Sequence, residues 1–267
     1  MQIKRAIKII QNYQYSDTDY LDLSNLDLTL IPNEVYELDQ LRVLDLSGNQ
    51  ISEIPTKISQ LTDLGVLRLK HNQLATLPKE MSALKNLYQL ELEDNQFTEF
   101  PNVILSFFNL SLLNINENQI TILPALKKCL KKIKSISLYQ NNFTEFPSSI
   151  LELNNLKCFD LGNNQITALP EFTGTLPQLT ECSLSNNQLT TIPDSISALT
   201  QLASLDLRHN QLTTDPDLSQ HFKKIYRTDF INDDWFYNCI NLFGNPIPNE
   251  TVSENNDGFK FVNATID

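Results

Sequence analysis

The sequence predicts an α/β solenoid. It is expected to be a curved rod with a parallel β-sheet on its concave face and short helical or extended returns on its convex face. Three observations predict it. Asn49, Asn72, Asn95, Asn118, Asn141, Asn164, Asn187 and Asn210 stand 23 residues apart. Pro32, Pro55, Pro78, Pro101, Pro124, Pro147, Pro170, Pro193 and Pro216 keep the same step of 23. Between them the chain reads LxxLxLxxNxLxxIPxxIxxLxx, as in Leu41, Leu44, Leu46, Asn49, Ile51, Ile54, Pro55, Ile58 and Leu61. A fixed period in the twenties marks stacked, near-identical turns, none of which can bury its apolar side alone.

The elements follow in order. In residues 1–19, Ile3, Ile7 and Ile10 fall at helical spacing, with Lys4, Arg5 and Lys8 mostly elsewhere on the wheel. This predicts a capping helix that lids the open end of the core, since solenoids need end caps. A membrane-binding amphipathic helix is the alternative. The repeats span residues 20–216. Each LxxLxLxx segment alternates apolar and polar residues with period 2, a short strand with one buried face; Leu44 and Leu46 point inward, Asp45 and Ser47 outward. The Asn after each strand can bond backbone groups of its own turn and the next, which stacking would otherwise leave dry and unpaired. Leu26 stands where the first Asn is expected, so the ladder starts one turn later. Proline suits the start of each return, where a missing N–H costs nothing. Residues 217–248 read as an irregular last turn and cap: Asp233 holds the Asn slot, and Leu242, Phe243, Gly244, Asn245 and Pro246 form a closing half-turn 35 residues after Asn210 rather than 23. Residues 249–267 read as a polar tail.

These motifs resemble the leucine-rich-repeat family over about residues 20–216. The 23-residue IPxxI form is similar to intracellular members of the Ras-suppressor and scribble type, and to bacterial relatives that include effectors delivered into host cells. The resemblance implies a rigid face for binding a protein, without catalysis. Some bacterial relatives carry a ubiquitin-ligase domain with a catalytic cysteine, so a recognition module of a ligase or other enzyme assembled in trans is the alternative. Cys239 is its weak candidate nucleophile.

Charge and cysteines narrow the partner. Lys plus Arg number 20 and Asp plus Glu 32, a net charge of −12. Such a chain is poorly suited to duplex nucleic acid or an anionic membrane. No run of 18 apolar residues predicts a span, and the N-terminus shows no secretory leader pattern. Extracellular members of the family close their ends with clustered cysteines, whereas Cys129, Cys158, Cys182 and Cys239 are scattered. Cys182 replaces a core leucine and Cys158 faces outward, so the two should not bond, and Cys158 should be the readiest thiol. Free thiols fit a reducing compartment, and the expected setting is a cytoplasm, or a host cytosol for an effector. The sequons at Asn109, Asn142, Asn249 and Asn263 read as chance.

No catalytic motif, metal site or phosphate-cradling loop is present, so no cofactor is expected. The binding site is expected on the outward columns of the sheet, as a monomer meeting one protein. Arg68, Lys70 and His71 lie beside Glu91, Glu93 and Asp94. Tyr20, Val43, Val66 and Leu112 put apolar area on an otherwise polar face, and Tyr139 adds a ring. The candidate partner-binding residues are therefore Val43, Val66, Arg68, Lys70, Glu91, Glu93, Leu112 and Tyr139. A second basic feature is the lysine-rich return of Lys127, Lys128, Lys131, Lys132 and Lys134, either a solvated face or a dock for acidic groups.

Overall fold

The computed structural model describes residues 2–13, 18–126, 129–214 and 239–247, and the backbone of 224–226 and 260–262; Cys239 is described by its backbone alone. The chain divides into two compact units, Met1–Ser137 and Leu138–Asp267.

The first unit opens with helix α1, Gln2–Tyr13. It turns Ala6 and Ile10 into the core, while Ile3 remains 41% exposed. The buried pair is one helical turn apart, so the apolar contact is narrower than the Ile3, Ile7, Ile10 stripe read from sequence. Six parallel strands follow in chain order: β1 (Tyr20–Asp22), β2 (Val43–Asp45), β3 (Val66–Arg68), β4 (Gln89–Glu91), β5 (Leu112–Asn114) and β6 (Ser135–Ser137). Register is one full repeat per step: Leu21 meets Leu44, Leu44 meets Leu67, and Leu67 meets Leu90. These central residues and the leucines two positions on (Leu23, Leu46, Leu69, Leu92) are buried and form the core column.

Each return is short. One turn of 3₁₀ helix runs over Asn33–Glu37, Thr56–Gln60, Lys79–Ala83 and Asn102–Ser106 in the first unit, and over Ser148–Glu152 and Asp194–Ala198 in the second. A proline stands immediately before each, at a position that needs no N–H and suits its fixed φ. Each turn drives its third residue into the core: Val35, Ile58, Met81, Ile104, Ile150 and Ile196, with Tyr36 also buried in the first. The return after Pro170 forms no such turn. There Thr175 bonds the Phe172 carbonyl through both N–H and Oγ1 at 3.0 and 2.7 Å, and Phe172 fills the core instead.

The second unit holds β7 (Cys158–Asp160), β8 (Glu181–Ser183), β9 (Ser204–Asp206), β10 (Lys224–Tyr226), β11 (Cys239–Asn241) and β12 (Lys260–Val262). Their order in the sheet is β7-β8-β9-β11-β10-β12. The strand beside β9 is therefore β11, with Ser204 opposite Cys239, and β10 lies on its far side. Residues 227–238, which include the Asp233 slot read from sequence, lie outside the described residues. Phe146 sits edge-on to Phe159 and Phe172 at 5.9 and 6.0 Å, and Phe159 fills a strand position that is leucine in β1–β5.

The asparagine ladder ties turn to turn. The Asn49 carboxamide oxygen accepts from the Leu26 and Leu28 N–H groups, and its amide donates to the Leu23 and Leu46 carbonyls. Asn118 repeats the pattern, accepting from Phe97 N–H at 3.0 Å and donating to the Leu92 carbonyl at 3.0 Å and the Asn116 carbonyl at 2.7 Å. All eight ladder residues, from Asn49 to Asn210, are buried. Asn245 makes the next rung: it accepts from Leu212 N–H and donates to the Leu207 and Leu242 carbonyls. The closing half-turn is thus a full turn of the ladder, reached after a longer excursion.

Just before the ladder Asn the chain must turn sharply. His71, Asp94, Glu117, Gln140, Asn163, Asn186 and His209 all hold φ between 49° and 54°. This left-handed conformation disfavours ordinary side chains and suits Asn, Asp and His, which dominate the column.

Candidate functional site

The outward faces and ends of β2–β5 carry the sequence-predicted site apart from Tyr139, and the structure sorts its members. In the column of Asp22, Asp45, Asn114, Asp160 and Asp206, each carboxyl or amide oxygen accepts the N–H two residues on, at 2.8–3.0 Å. Asn241 does the same for Phe243 at 3.1 Å. These outward side chains cap the ends of their own strands. Sequence reading took the column as free surface; the signal was the recurrence of Asp or Asn four residues before the ladder Asn.

Arg68 and Glu91 break that column and are released from the capping task. Arg68 lies between two carboxylates, 3.6 Å from Asp45 and 3.4 Å from Glu91. Glu91 also accepts from the Gln89 amide at 2.7 Å. The lateral pairing expected from sequence is present here, and again at His71–Asp94, 2.9 Å. Glu93, however, takes the Asn114 amide at 2.8 Å rather than a cation. Among the described residues Lys70 makes no ion pair within 4.0 Å. Exposed pairs of this kind contribute about 0–1 kcal/mol each.

The apolar members differ. Leu112 is 39% exposed and Tyr20 41%, while Val43 is half-buried. Val66 is only 3% exposed, which removes it from the candidate contact residues. Its strand is preceded by Gly65, and the Tyr88 ring of the next turn lies against that glycine: a Cβ there would come within 2.8 Å of it. A residue at that crowded edge is packed as core, whatever its outward parity. Tyr20 carries a phenol raised above its ordinary value by burial, then by Asp22 and Asp45.

Two exposed rings lie outside the sequence-predicted set. Tyr88 is 48% exposed and Phe108 56%, and the Lys85 ammonium stands 5.8 Å over the Phe108 ring. The glycine opposite Tyr88 was the available clue. Tyr139 belongs to the second unit. It is half-buried, with its ring against Gly162, where a Cβ would come within 3.1 Å.

In the second unit Arg208 grips its neighbour Asp206 with Nε and Nη2 at 2.8–3.1 Å. Cys182 is buried in the core and Cys158 half-buried on the outer side, 3.8 Å from Glu181; both are free thiols, as is Cys129. Burial, then Glu181, pushes the Cys158 thiol up. That corrects the expectation of a ready thiol, since reactivity follows the thiolate.

A cleft of about 970 Å³ near α1 is lined by Tyr13, Thr18, Asp19, Glu37, Asp39, Arg42 and Asp63 among others, with no His or Cys in it. Among the described residues no group of three His, Cys, Asp or Glu is placed to hold a metal ion, and no helix is long and apolar enough to cross a membrane.

The leucine rich repeat family profile matches residues 39–97 and 154–212. The solved structure of the Leptospira interrogans LRR protein LIC12759 superposes with a TM-score of 0.74 at 37% identity, over 84% of this chain and 54% of that one. This chain is a leucine-rich-repeat protein. It spans about half the length of the Leptospira protein and about a third of two receptors that are also similar. TLR13, solved in complex with ssRNA13, matches at TM-score 0.67 and 25% identity over 79% of this chain and 34% of that one. The plant peptide hormone receptor RGFR1, solved in complex with RGF2, matches at TM-score 0.56 and 29% identity over 70% and 35%. Among curated proteins, none matches the chain.

Proposed function

We propose that this leucine-rich-repeat chain is a non-enzymatic scaffold that binds a partner protein on the outward sheet face of its first unit. The observation that carries the reading is Leu112. It is a large apolar side chain, 39% exposed, on β5; the adjoining β4 bears Glu91, Glu93 follows that strand, and Arg68 lies one strand further on, in β3. An apolar anchor ringed by charge is the composition of an interface centre and its rim. A rigid, hydrogen-bonded sheet orders few side chains on binding, which keeps the entropic cost low. Two similar receptors were solved with ligands bound, an RNA and a peptide hormone partner; the net charge of −12 favours the protein over the nucleic acid here. The setting proposed is a cell interior, consistent with the free thiols, and a bacterial effector acting on a host protein is the narrower form of the same proposal; the likeness to a Leptospira protein supports its bacterial part alone.

The test is comparative capture. Immobilised wild-type protein should retain a partner from cell lysate that Leu112→Asp loses, while Glu181→Gln in the second unit retains it. Arg68→Ala should weaken capture less, because Asp45 and Glu91 already hold that guanidinium. Retention by Leu112→Asp together with loss in Glu181→Gln would move the site off the first unit.

A further inference from the structure

We propose that the leading edge of strands β4–β6 docks an acidic, aromatic-bearing segment of a partner protein. The inference rests on the scaffold reading and names the chemistry of the bound segment.

Three consecutive approach segments, residues 85–89, 108–112 and 131–135, build this edge, and none contains an Asp or Glu. They belong to a chain in which acids outnumber bases 32 to 20. They present Tyr88, Phe108 and Leu112, 48%, 56% and 39% exposed, among the exposed lysines Lys85, Lys132 and Lys134. Backbone bonds hold them side by side: Ser111 and Leu112 donate to the Tyr88 carbonyl at 2.8 and 3.0 Å, and Lys134 donates to the Ser111 carbonyl at 2.8 Å. The side chains extend the same contact. Lys132 Nζ donates to Asn109 Oδ1 at 2.7 Å, the Asn109 amide donates to the Lys85 carbonyl at 2.7 Å, and Lys85 sits over Phe108. Tyr88 is seated against Gly65, so its ring is a fixed platform rather than a loose one.

Exposed rings held beside ammonium groups fit carboxylates alternating with apolar side chains. The cations meet the carboxylates, and Phe108, Tyr88 and Leu112 bury the apolar part. Three turns span about 10 Å, the reach of roughly three extended residues. The acidic occupant is favoured over an anionic bilayer by what lies on the same edge one and two turns earlier, the exposed Asp63 and Asp39. A membrane plane would meet those carboxylates as well, and the net charge behind them, whereas a short peptide covers only the basic turns.

The probe is a fluorescein-labelled peptide of alternating Glu and Tyr, followed by fluorescence anisotropy with the full chain. Saturable binding that weakens with added NaCl is expected. It should fall at least tenfold in Lys85→Glu/Lys132→Glu/Lys134→Glu, and likewise in Phe108→Ser, with circular dichroism unchanged; the corresponding lysine-to-Gln variant should give a smaller loss and serves if the charge reversal disturbs folding. An all-Glu peptide should bind more weakly than the alternating one. No saturable binding, or binding equal in the lysine variants, overturns the inference. Flotation with phosphatidylserine vesicles in the absence of peptide binding also overturns it, in favour of a lipid surface. The scaffold reading is judged separately. Partner capture lost in Leu112→Asp but kept in the lysine variant leaves that reading standing and removes this one.

Discussion

A ladder asparagine does its work by pairing groups that stacking has removed from water. Asn118→Ala leaves the Phe97 N–H and the Leu92 carbonyl without that partner inside the core. The expected loss is roughly 1–3 kcal/mol by urea titration, the cost of an unsatisfied buried group. Gln119→Ala, at an exposed position one residue on, should change stability little; equal midpoints for the two variants would remove the ladder from its role. Asp160 behaves differently. Burial raises its carboxyl above the ordinary value, more than the Gly162 N–H and Ser183 hydrogen bonds lower it. A raised acid binds its proton more tightly in the folded chain than in the unfolded one. Its contribution is therefore present below the unfolded value of about 3.9 and is lost as pH rises through the folded value. Asp160→Asn keeps the oxygen that caps Gly162 and removes the charge. Its melting temperature relative to wild type should rise as pH goes from 4 towards 7; a difference that stays flat would mean Asp160 is no more strained than a solvated carboxylate. The ladder could be read from periodicity alone, because eight identical residues at one spacing need a shared task. The capping column could not be read as readily, because Arg68, Glu91, Ser137 and Ser183 interrupt it and outward parity suggests free surface.

Strands and returns are where parity reasoning succeeds and then stops. Alternation correctly placed Leu44, Leu67 and Leu90 inside, and the proline step correctly located the start of the six described 3₁₀ returns. Parity also assigned Val66 and Leu112 to one outward column, yet one is 3% exposed and the other 39%. The difference comes from the neighbouring turn: a glycine and a tyrosine one repeat apart crowd the edge near Val66, and no single-strand pattern contains that pair. The two positions should respond accordingly to truncation. Val66→Ala removes two buried methyl groups' worth of contact and should cost about 1.5 kcal/mol, with little effect on partner capture. Leu112→Ala should leave stability nearly unchanged and weaken capture. Denaturation midpoints and capture assays on the same two proteins distinguish them, and a stability loss for Leu112→Ala matching that of Val66→Ala would return both to one class. The helix α1 gives a similar lesson. Its apolar spacing predicted the helix, but Ala6 and Ile10 rather than Ile3 meet the core, because a close helix contact favours a small residue over a third isoleucine.

At the scale of the molecule, stability is a sum of turns and of the surfaces between adjacent turns. Against it stands a net charge of −12, whose self-repulsion favours expansion. Added NaCl should therefore raise the melting temperature at neutral pH, since the exposed pairs at Arg42–Asp19 and His71–Asp94 lose little when screened. A melting temperature that falls with salt would show that those pairs outweigh the repulsion. The repeated body of the protein was legible because every turn poses the same problem to the same residues. The last turns were legible in part: the sequence places a closing half-turn at Asn245, 35 residues after Asn210 instead of 23, but no motif shows that the detour before it puts β11 rather than β10 beside β9. That detour separates the order of synthesis from the order of the sheet. In the second unit, from β7 to β9, each newly made turn can settle directly on the one made before it. The strand made next, Lys224–Tyr226, has no seat there, because Cys239–Asn241 occupies the edge of β9 and comes later. A growing chain must hold β10 in waiting until β11 has emerged and slipped between them. This end of the protein is assembled out of turn, and for that interval the edge of β9 is open to any other strand.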